Sequence, residues 1–221
     1  VDLLSFTGGS QTGRTIMGAA AGNLKRVALE LGGKNPHIIF ADADLDVAVD
    51  YALNAVFFHA GQICSAGAKL LVESPIHDAF VKALSARMKA ITVGNGADPD
   101  TRMGPLISAA HRQKVEDHVA LALSEGATLA VGGARPDDPA LANGFFYLPT
   151  LLTGCTPEMT ISREEVFGPV IGVERFDSEA EAIARANDTV YGLSAGFWTT
   201  DEARIERVSR ALRFGTVWAN D

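Results

Sequence analysis

Apolar residues recur along the chain in two spacings, short continuous runs that are typical of buried strands and stripes at three- and four-residue intervals that are typical of helices. These spacings predict strands at residues 3–7, 26–31, 37–40, 69–73, 128–131, 170–176, 194–199 and 216–219. They predict helices at residues 10–21, 44–59, 75–90, 108–125, 177–187 and 201–212. Asp42 or Asp44 can cap the second helix. The alternation indicates an α/β fold, a mainly parallel twisted sheet with flanking helices.

Segments rich in glycine, proline and aspartate separate these elements. Residues 92–105 and 132–144 are predicted to be exposed loops, and residues 158–168 to be irregular. The chain starts without a Met or the basic segment of a signal peptide. Its last predicted strand stops just before Asp221. We therefore expect both ends to be cut from a longer chain.

The composition is that of an ordinary globular protein, with 47% hydrophobic and 21% charged residues among 221. It excludes a disordered chain, a collagen-like fibre and a disulfide scaffold. Lys and Arg number 19 against 27 Asp and Glu, a net charge of −8, so we expect no nucleic-acid partner. No apolar run reaches the roughly 18 residues of a membrane span, so we expect no membrane association. With only Cys64 and Cys155 present, a reducing, cytoplasmic compartment is expected.

The first candidate motif is Phe6-Thr7-Gly8-Gly9-Ser10, where a predicted strand ends and a predicted helix begins. Free N–H groups at the N-terminus of a helix bind anions such as a pyrophosphate. The match to the dinucleotide fingerprint G-x-G-x-x-G is poor, because Ser10 replaces its second glycine. A plain glycine turn is the alternative.

In the second motif, Leu29-Glu30-Leu31-Gly32-Gly33-Lys34, a carboxylate lies within an apolar strand and two glycines follow it. Burial of a carboxyl group is costly and raises its pKa, which would make Glu30 a candidate general base. Because the faces of a strand alternate, Glu30 could equally lie on the solvent side.

The third motif, Gly61-Gln62-Ile63-Cys64, follows a predicted amphipathic helix. A turn at this point can place the thiol beside backbone N–H donors, which favour a thiolate and a developing oxyanion. A small buried hydrophobe is the alternative. His59 could form a Cys–His hydrolase pair, but we expect it at the helix end or surface. Cys155 has no comparable surroundings and is expected to be a buried structural residue.

The fourth motif, Glu165-Val166-Phe167-Gly168-Pro169, combines a carboxylate with an aromatic ring and a Gly-Pro turn. Such a segment can bind ribose hydroxyls and pack on a flat ring. A charged loop anchored by Phe167 is the alternative. The histidines at 37, 77, 111 and 118 show no ligand spacing, so no metal site is predicted.

Together and in this order, the four motifs resemble the NAD(P)-dependent aldehyde dehydrogenase superfamily. Glu-Leu-Gly-Gly-Lys at 30–34 and Gly-Gln-x-Cys at 61–64 are the two best-known signatures of that family. The resemblance covers the whole chain. It implies an oxidoreductase that converts a small-molecule aldehyde to a carboxylic acid with NAD or NADP. Residues 57–69 weakly resemble the branch that handles betaine aldehyde and aminoaldehydes.

The resemblance also implies roles for individual residues. Cys64 would be the nucleophile that carries a thiohemiacetal and then a thioester, and Glu30 the general base that activates water against the thioester. Glu165 would bind the nicotinamide ribose, with Phe167 packed beside it.

Further cofactor contacts are implied at the first and second motifs. Thr7, Gly8 and Gly9 would form the turn beside the nicotinamide and the phosphates. Leu31 would border the nicotinamide amide through its backbone. Many family members have Ser at the position of Gly9, so one hydroxyl contact to phosphate is absent here.

Family members also carry segments that have no counterpart in this chain. An N-terminal segment supplies the oxyanion-hole Asn and the Lys on the adenosine ribose, and a C-terminal extension supplies an oligomerising strand. The resemblance thus implies that residues 1–32 are the C-terminal part of the dinucleotide-binding domain and residues 33–221 an incomplete catalytic domain. We expect weak activity from the chain alone and a homodimer or homotetramer at full length.

Two other function classes stay open. A cysteine-dependent esterase or acyl transferase would use Cys64 and Glu30 without a nicotinamide. A non-catalytic binding fragment would use neither. Aldehyde-dependent formation of NADH separates the first class from a dehydrogenase, and slow alkylation of Cys64 would indicate the second.

Overall fold

A computed structural model describes all residues 1–221. The strands are β1 Leu3–Gly8, β2 Arg26–Leu31, β3 Pro36–Ile39, β4 Lys69–Glu73, β5 Thr128–Val131, β6 Thr150–Thr153, β7 Val170–Phe176, β8 Ser194–Trp198 and β9 Thr216–Ala219. The helices are α1 Ser10–Ala21, α2 Leu45–Phe57, α3 His77–Met88, α4 Ala109–Ser124, α5 Thr160–Arg163, α6 Glu179–Asn187 and α7 Glu202–Ala211. Short 3₁₀ turns occupy Phe58–Gly61 and Pro139–Leu141. None of the helices has the length and hydropathy of a membrane span.

The strands form two separate sheets. β1 and β2 pair in parallel, with α1 as their crossover. The other seven strands follow the order β5-β6-β7-β4-β3-β8-β9, and only β5 runs antiparallel to its neighbour. The predicted α/β fold with a mainly parallel sheet is confirmed. The pattern of apolar residues alone did not indicate that a second sheet starts after β2.

The seven-stranded sheet is covered on both faces. Adjacent residues of β3 enter different apolar clusters, because side chains alternate across a strand. Ile39 joins a cluster of 29 buried residues that includes α2 and α3. Ile38 joins a cluster of 10 that includes α6 and α7. All four residues of β3 are buried, as expected for a central parallel strand with helices on both sides.

The unit formed by β1, α1 and β2 is much less buried. Only Gly13 and Ala20 are buried in α1. Leu3, Met17 and Leu24 are 55%, 58% and 90% exposed. The unit therefore has little core of its own.

Two helix ends differ from the prediction, and two short elements were not predicted. The helix predicted from Pro75 begins at His77, because the Ile76 N–H bonds to the Glu73 carbonyl and closes a turn first. The second helix ends two residues early, since His59 and Ala60 take left-handed φ values of 51° and 54°. Strand β6 was not predicted, and the irregular segment 158–168 contains the single turn α5.

Candidate active site

The first two motifs lie side by side, because the strands that carry them pair in parallel. Thr7 is opposite Glu30, and Gly8 is opposite Leu31. Ligands of parallel α/β units bind beyond the carboxyl ends of the strands, and both motifs lie at those ends. Glu30 is exposed. Of the two placements left open by the sequence, the structure therefore has the one that faces solvent.

The first turn of α1 is open to an anion. Gly9 is the N-cap residue, with φ −68° and ψ 145°, and no side chain caps the helix. The first N–H groups of a helix have no partner within the helix, so here they are free to bind a ligand. At Gly13 a Cβ would lie 2.8 Å from Cδ2 of Leu31. Glycine at this position lets α1 pack closely against β2.

Cys64 lies in a turn formed by residues 63–66, here called the cysteine turn. The Ala66 N–H bonds to the Ile63 carbonyl at 3.1 Å and closes it. The N–H groups of Ile63, Cys64 and Ser65 donate no hydrogen bond within the chain. Cys64 is a free, exposed cysteine. The turn thus presents a thiol together with unused backbone donors, which is the arrangement that a developing oxyanion requires.

Neither His59 nor the second cysteine, Cys155, forms a hydrogen bond with Cys64. The exposed ring of His59 lies tilted against the ring of Phe58, with ring centroids 4.3 Å apart and an angle of 52° between the ring planes. Cys155 is buried, as predicted, and burial raises the pKa of its thiol to about 11. Cys155 is therefore protonated at neutral pH.

The cysteine turn is joined to the fourth motif through backbone atoms. Residues 164–169 are here called the acidic loop. Gly61 has φ +72°, and a Cβ there would lie 2.0 Å from the carbonyl oxygen of Gly168. Only glycine permits both this φ and this approach. The left-handed run from His59 to Gly61 ends α2 and turns the chain toward the acidic loop.

The acidic loop is joined in turn to the second motif. The Glu165 Oε1 accepts a hydrogen bond from the Gly33 N–H at 3.2 Å. A Cβ at Gly32 would lie 1.9 Å from the Glu165 Oε2, so the carboxylate occupies space that only glycine leaves. Burial raises the pKa of Glu165, and the Gly33 N–H, Lys114 and Lys34 partly offset this effect.

Helix α4 holds the acidic loop from its other side. His111 Nε2 lies 2.6 Å from the Phe167 carbonyl oxygen, and the two rings meet edge to face at 6.0 Å. Lys114 Nζ donates to the Glu165 carbonyl at 3.3 Å. Phe167 has φ +58°. The sequence did not indicate these helix contacts.

Three of the four motifs meet around one small pocket. Its lining includes Gly33, Lys34, Gly61, Ile63, Ala66, Ala68, Glu165, Val166, Phe167 and Gly168. The structure thus brings the glycine pair, the cysteine turn and the acidic loop together around this pocket, although the side chains of Cys64 and Glu30 are not part of its lining. The first motif lies next to Glu30 on the paired strands β1 and β2, outside this lining. No group of three or more His, Cys, Asp or Glu side chains is placed to hold a metal ion.

A comparison with protein families identifies the chain. The profile described as "Aldehyde dehydrogenase family" matches residues 1–221. The chain belongs to the aldehyde dehydrogenase family. The resemblance stated from the four motifs is thereby confirmed over the whole chain.

Individual relatives in the family are close. The chain is 61% identical over 221 residues to the betaine aldehyde dehydrogenase of Bacillus subtilis (strain 168) and 46% identical to a 2-aminomuconic 6-semialdehyde dehydrogenase of Pseudomonas sp. Each match covers 100% of the chain and 45% of the relative. The crystal structure of betaine aldehyde dehydrogenase from Staphylococcus aureus in complex with NAD⁺ matches with a TM-score of 0.98 at 55% identity, over 100% of this chain and 44% of that one. The chain thus spans about half the length of the relatives it matches.

Two polar residues of this aldehyde dehydrogenase site received no role from the sequence. Lys34 is 2% exposed, its Nζ has no hydrogen-bond partner, and burial lowers its pKa to about 8. Asn35 is also 2% exposed, and its amide reaches the cysteine turn. Two polar residues between a glycine pair and a strand whose four residues are all buried are unusual, and that contrast is the signal that could have identified them.

Proposed function

We propose that the chain forms the catalytic part of an aldehyde dehydrogenase that oxidises an aldehyde to a carboxylic acid with NAD⁺ or NADP⁺. One observation carries the proposal. The packing of Gly61 on Gly168 and the hydrogen bond from Gly33 to Glu165 join the cysteine turn, the glycine pair and the acidic loop around one pocket. A free thiol, unused N–H donors and the half-buried carboxylate of Glu165 are groups that such a reaction can use.

The residues at this site fit a nicotinamide dinucleotide. The uncapped N-terminus of α1, with Thr7, Gly8 and Gly9 before it, would hold the phosphates. The carboxylate of Glu165, cradled against Gly32, would accept hydrogen bonds from ribose hydroxyls. The S. aureus structures contain NAD⁺, which favours NAD⁺ over NADP⁺.

Two further contacts to the dinucleotide are proposed. The backbone of Leu31 would border the nicotinamide amide, because it lies opposite Gly8 at the carboxyl end of β2. The ring of Phe167 would pack beside the ribose, since the acidic loop holds it at the pocket next to Glu165.

The covalent chemistry belongs to Cys64. Its thiolate attacks the carbonyl carbon of the aldehyde, a C–S bond forms, and the oxygen takes up the negative charge. The free backbone N–H of Cys64 donates to that oxygen. When bound, the nicotinamide supplies the hydride acceptor. Loss of hydride from the tetrahedral carbon leaves a thioester on Cys64.

Hydrolysis of the thioester is assigned to Glu30. Its exposed carboxylate has access to water and takes a proton from a water molecule whose oxygen attacks the acyl carbon. The C–S bond breaks, and the carboxylic acid and the Cys64 thiolate separate. A thiolate suits both the formation and the hydrolysis of the thioester, because it is a good nucleophile and a good leaving group.

The domain boundary near residue 32 is also a proposal. It is supported by the change of sheet between β2 and β3 and by the small core of the β1–α1–β2 unit. Residues 1–32 would then be the last part of the dinucleotide-binding domain and residues 33–221 most of the catalytic domain. We propose that these 221 residues alone turn over weakly. Specific activity equal to that of the B. subtilis relative would contradict this.

The substrate is proposed to be betaine aldehyde or a related aminoaldehyde. The names of the relatives at 61% and 46% identity support this class. Phe58, five residues before the cysteine turn in the sequence, is 62% exposed, and an exposed aromatic ring can bind a quaternary ammonium group by a cation–π contact.

The decisive experiment measures NADH formation by the complete gene product with betaine aldehyde and, for comparison, an uncharged aldehyde. We expect aldehyde-dependent reduction of NAD⁺ that Cys64→Ala abolishes and that Cys155→Ala preserves within about twofold. Ester hydrolysis without any reduction of NAD⁺ or NADP⁺ would instead assign the chain to the esterase class.

A further inference from the structure

We infer that Asn35 is a positioning residue that acts through the backbone of the cysteine turn. Its side-chain amide fixes the peptide group between Cys64 and Ser65 and so aims the unused N–H donors beside the thiol. The inference rests on the proposed function for its effect on turnover, but it concerns a residue to which neither the motifs nor the relatives assign a role.

Both hydrogens of the Asn35 side-chain amide are donated to carbonyl groups of the cysteine turn. Nδ2 donates to the carbonyl oxygen of Cys64 at 2.8 Å and to that of Ala66 at 3.1 Å. Oδ1 accepts from the Ser194 N–H at 3.2 Å. The side chain is 2% exposed. It therefore ties the cysteine turn to the first residue of β8, 159 positions away in sequence.

The backbone of Asn35 is held firmly on the side that faces away from the cysteine turn. Asn35 directly precedes β3, which lies between β4 and β8 in the seven-stranded sheet. Its backbone carbonyl accepts from the Lys69 N–H at the start of β4. Pro36 restricts the backbone of Asn35 to an extended conformation. The amide is thus held by the centre of the sheet rather than by a loop.

The cysteine turn has few other restraints. Its one internal hydrogen bond joins the Ala66 N–H to the Ile63 carbonyl, and the exposed side chain of Cys64 provides little packing. A trans peptide group is planar, with its C=O and N–H pointing in opposite directions. When Asn35 binds the Cys64 carbonyl, the Ser65 N–H must point away from Asn35, on the side left free of protein partners. Without the side-chain amide of Asn35, the direction of the Ser65 N–H would no longer be fixed.

The test compares Asn35→Ala with Asn187→Ala in the complete gene product. Asn187 is a matched control, because its amide also bridges two elements, with Nδ2 on the Ala211 carbonyl at 2.9 Å and Oδ1 on the Arg213 N–H at 2.9 Å. We expect Asn35→Ala to lower kcat, and the rate of Cys64 alkylation by iodoacetamide near neutral pH, by about tenfold or more. KM for NAD⁺ should stay within about threefold, and Asn187→Ala should change each quantity by less than about twofold.

Asn35→Asp keeps the shape of the side chain and decides the matter if the alanine variant does not fold. A protonated carboxyl can donate one hydrogen bond to the turn, whereas a carboxylate can donate none. The ratio of its alkylation rate to that of the unmodified protein should therefore fall as pH rises. A positioning role predicts this trend, and a purely structural role does not.

Either of two results would overturn the inference. One is a folded Asn35→Ala protein with kcat and alkylation rate within about twofold of the unmodified protein. The other is an equal loss in Asn187→Ala. Absence of aldehyde oxidation in the unmodified protein would refute the proposed function, whereas the alkylation rates would still decide the role of Asn35.

Discussion

At Gly61 the lack of a side chain determines how the cysteine turn meets the acidic loop. A left-handed φ costs an L-residue about 1–2 kcal/mol, and overlap with a carbonyl oxygen cannot be relieved by a side-chain rotation. We expect Gly61→Ala to lower the free energy of unfolding by about 2–4 kcal/mol and to slow alkylation of Cys64. Urea unfolding and iodoacetamide kinetics measure the two effects. Gly104→Ala is the control, since a Cβ there meets nothing within 4 Å, and equal stability of the two variants would contradict the prediction.

His37 makes the stability of the fold sensitive to acid. Trp198 Nε1 donates to its Nε2 at 2.9 Å, and burial lowers the pKa of His37 from 6.5 to about 4. The unfolded chain gains this proton near pH 6.5 and the folded chain only near pH 4. This contribution to stability is therefore complete above pH 6.5 and is lost as pH falls toward 4, by about 3 kcal/mol in total.

The measurement is urea unfolding at several pH values. His37→Gln keeps an acceptor for Trp198 but does not titrate, so its stability should fall less between pH 6.5 and 4 than that of the unmodified protein. Parallel curves for His37→Gln and the unmodified protein would refute the assignment.

Which residues carry the chemistry could be predicted from the sequence more readily than the burial and contacts of those residues. Cys64 and Glu165 could be singled out because short motifs mark them. The exposed placement of Glu30 depends on which face of β2 packs on α1, and the contacts of Asn35 depend on Ser194, far away in the chain. Those pairings are set by tertiary packing, which no local pattern contains.

Among the elements, Asp42 and Asp44 illustrate two uses of one residue type. Asp44 caps α2, one of the two caps that the sequence allowed. Asp42 instead accepts hydrogen bonds from the hydroxyls of Thr199 and Thr200 and pairs with Arg204 at 3.0 Å. Burial alone would raise the pKa of Asp42, but the bonds from Thr199 and Thr200 and the charge of Arg204 outweigh it and lower the pKa. Asp42 therefore links the entry of α2 to the start of α7.

We expect Asp42→Ala to lower the free energy of unfolding by about 1–3 kcal/mol, and by more than Asp44→Ala, because it frees several partners rather than one. Chemical denaturation of both variants measures the difference. Since the folded pKa of Asp42 is lowered, its contribution is present at neutral pH and is lost on acidification. A larger effect of Asp44→Ala would count against this role.

Most elements could be predicted because each has a distinct period and a boundary residue. β6 escaped prediction although β5 and β9 are equally short, because its four residues, Thr150–Thr153, directly continue the apolar residues 145–148 past Pro149 and no polar residue before Pro149 marks the start of a strand. They are nevertheless mostly buried, between β5 and β7. The end of α2 was misplaced since nothing local in Phe58-His59-Ala60 forces a left-handed backbone. The contact between Gly61 and Gly168 accounts for it.

For the whole molecule, the division into two sheets predicts unequal local stability. A two-stranded sheet is marginal without further packing, and α1 buries only Gly13 and Ala20. We expect amides of β1, α1 and β2 to exchange with deuterium at least about 100-fold faster than those of β3, β4 and β7 in the 221-residue chain. Mass spectrometry of peptic fragments measures both groups in one sample. Equal protection in the two sheets would show that the small unit is stabilised in a way that its burial does not reveal.

The parallel register of β1 and β2 also limits how genes for such proteins can diverge. Thr7 faces Glu30 across the sheet, and side chains alternate along a strand. One codon gained or lost within residues 26–31 would turn the carboxylate toward α1 and put a leucine in its place. The turn at residues 22–25 lies outside the paired strands, so a length change there leaves the register intact. Within β2, sequence drift around Glu30 is thereby confined to substitutions.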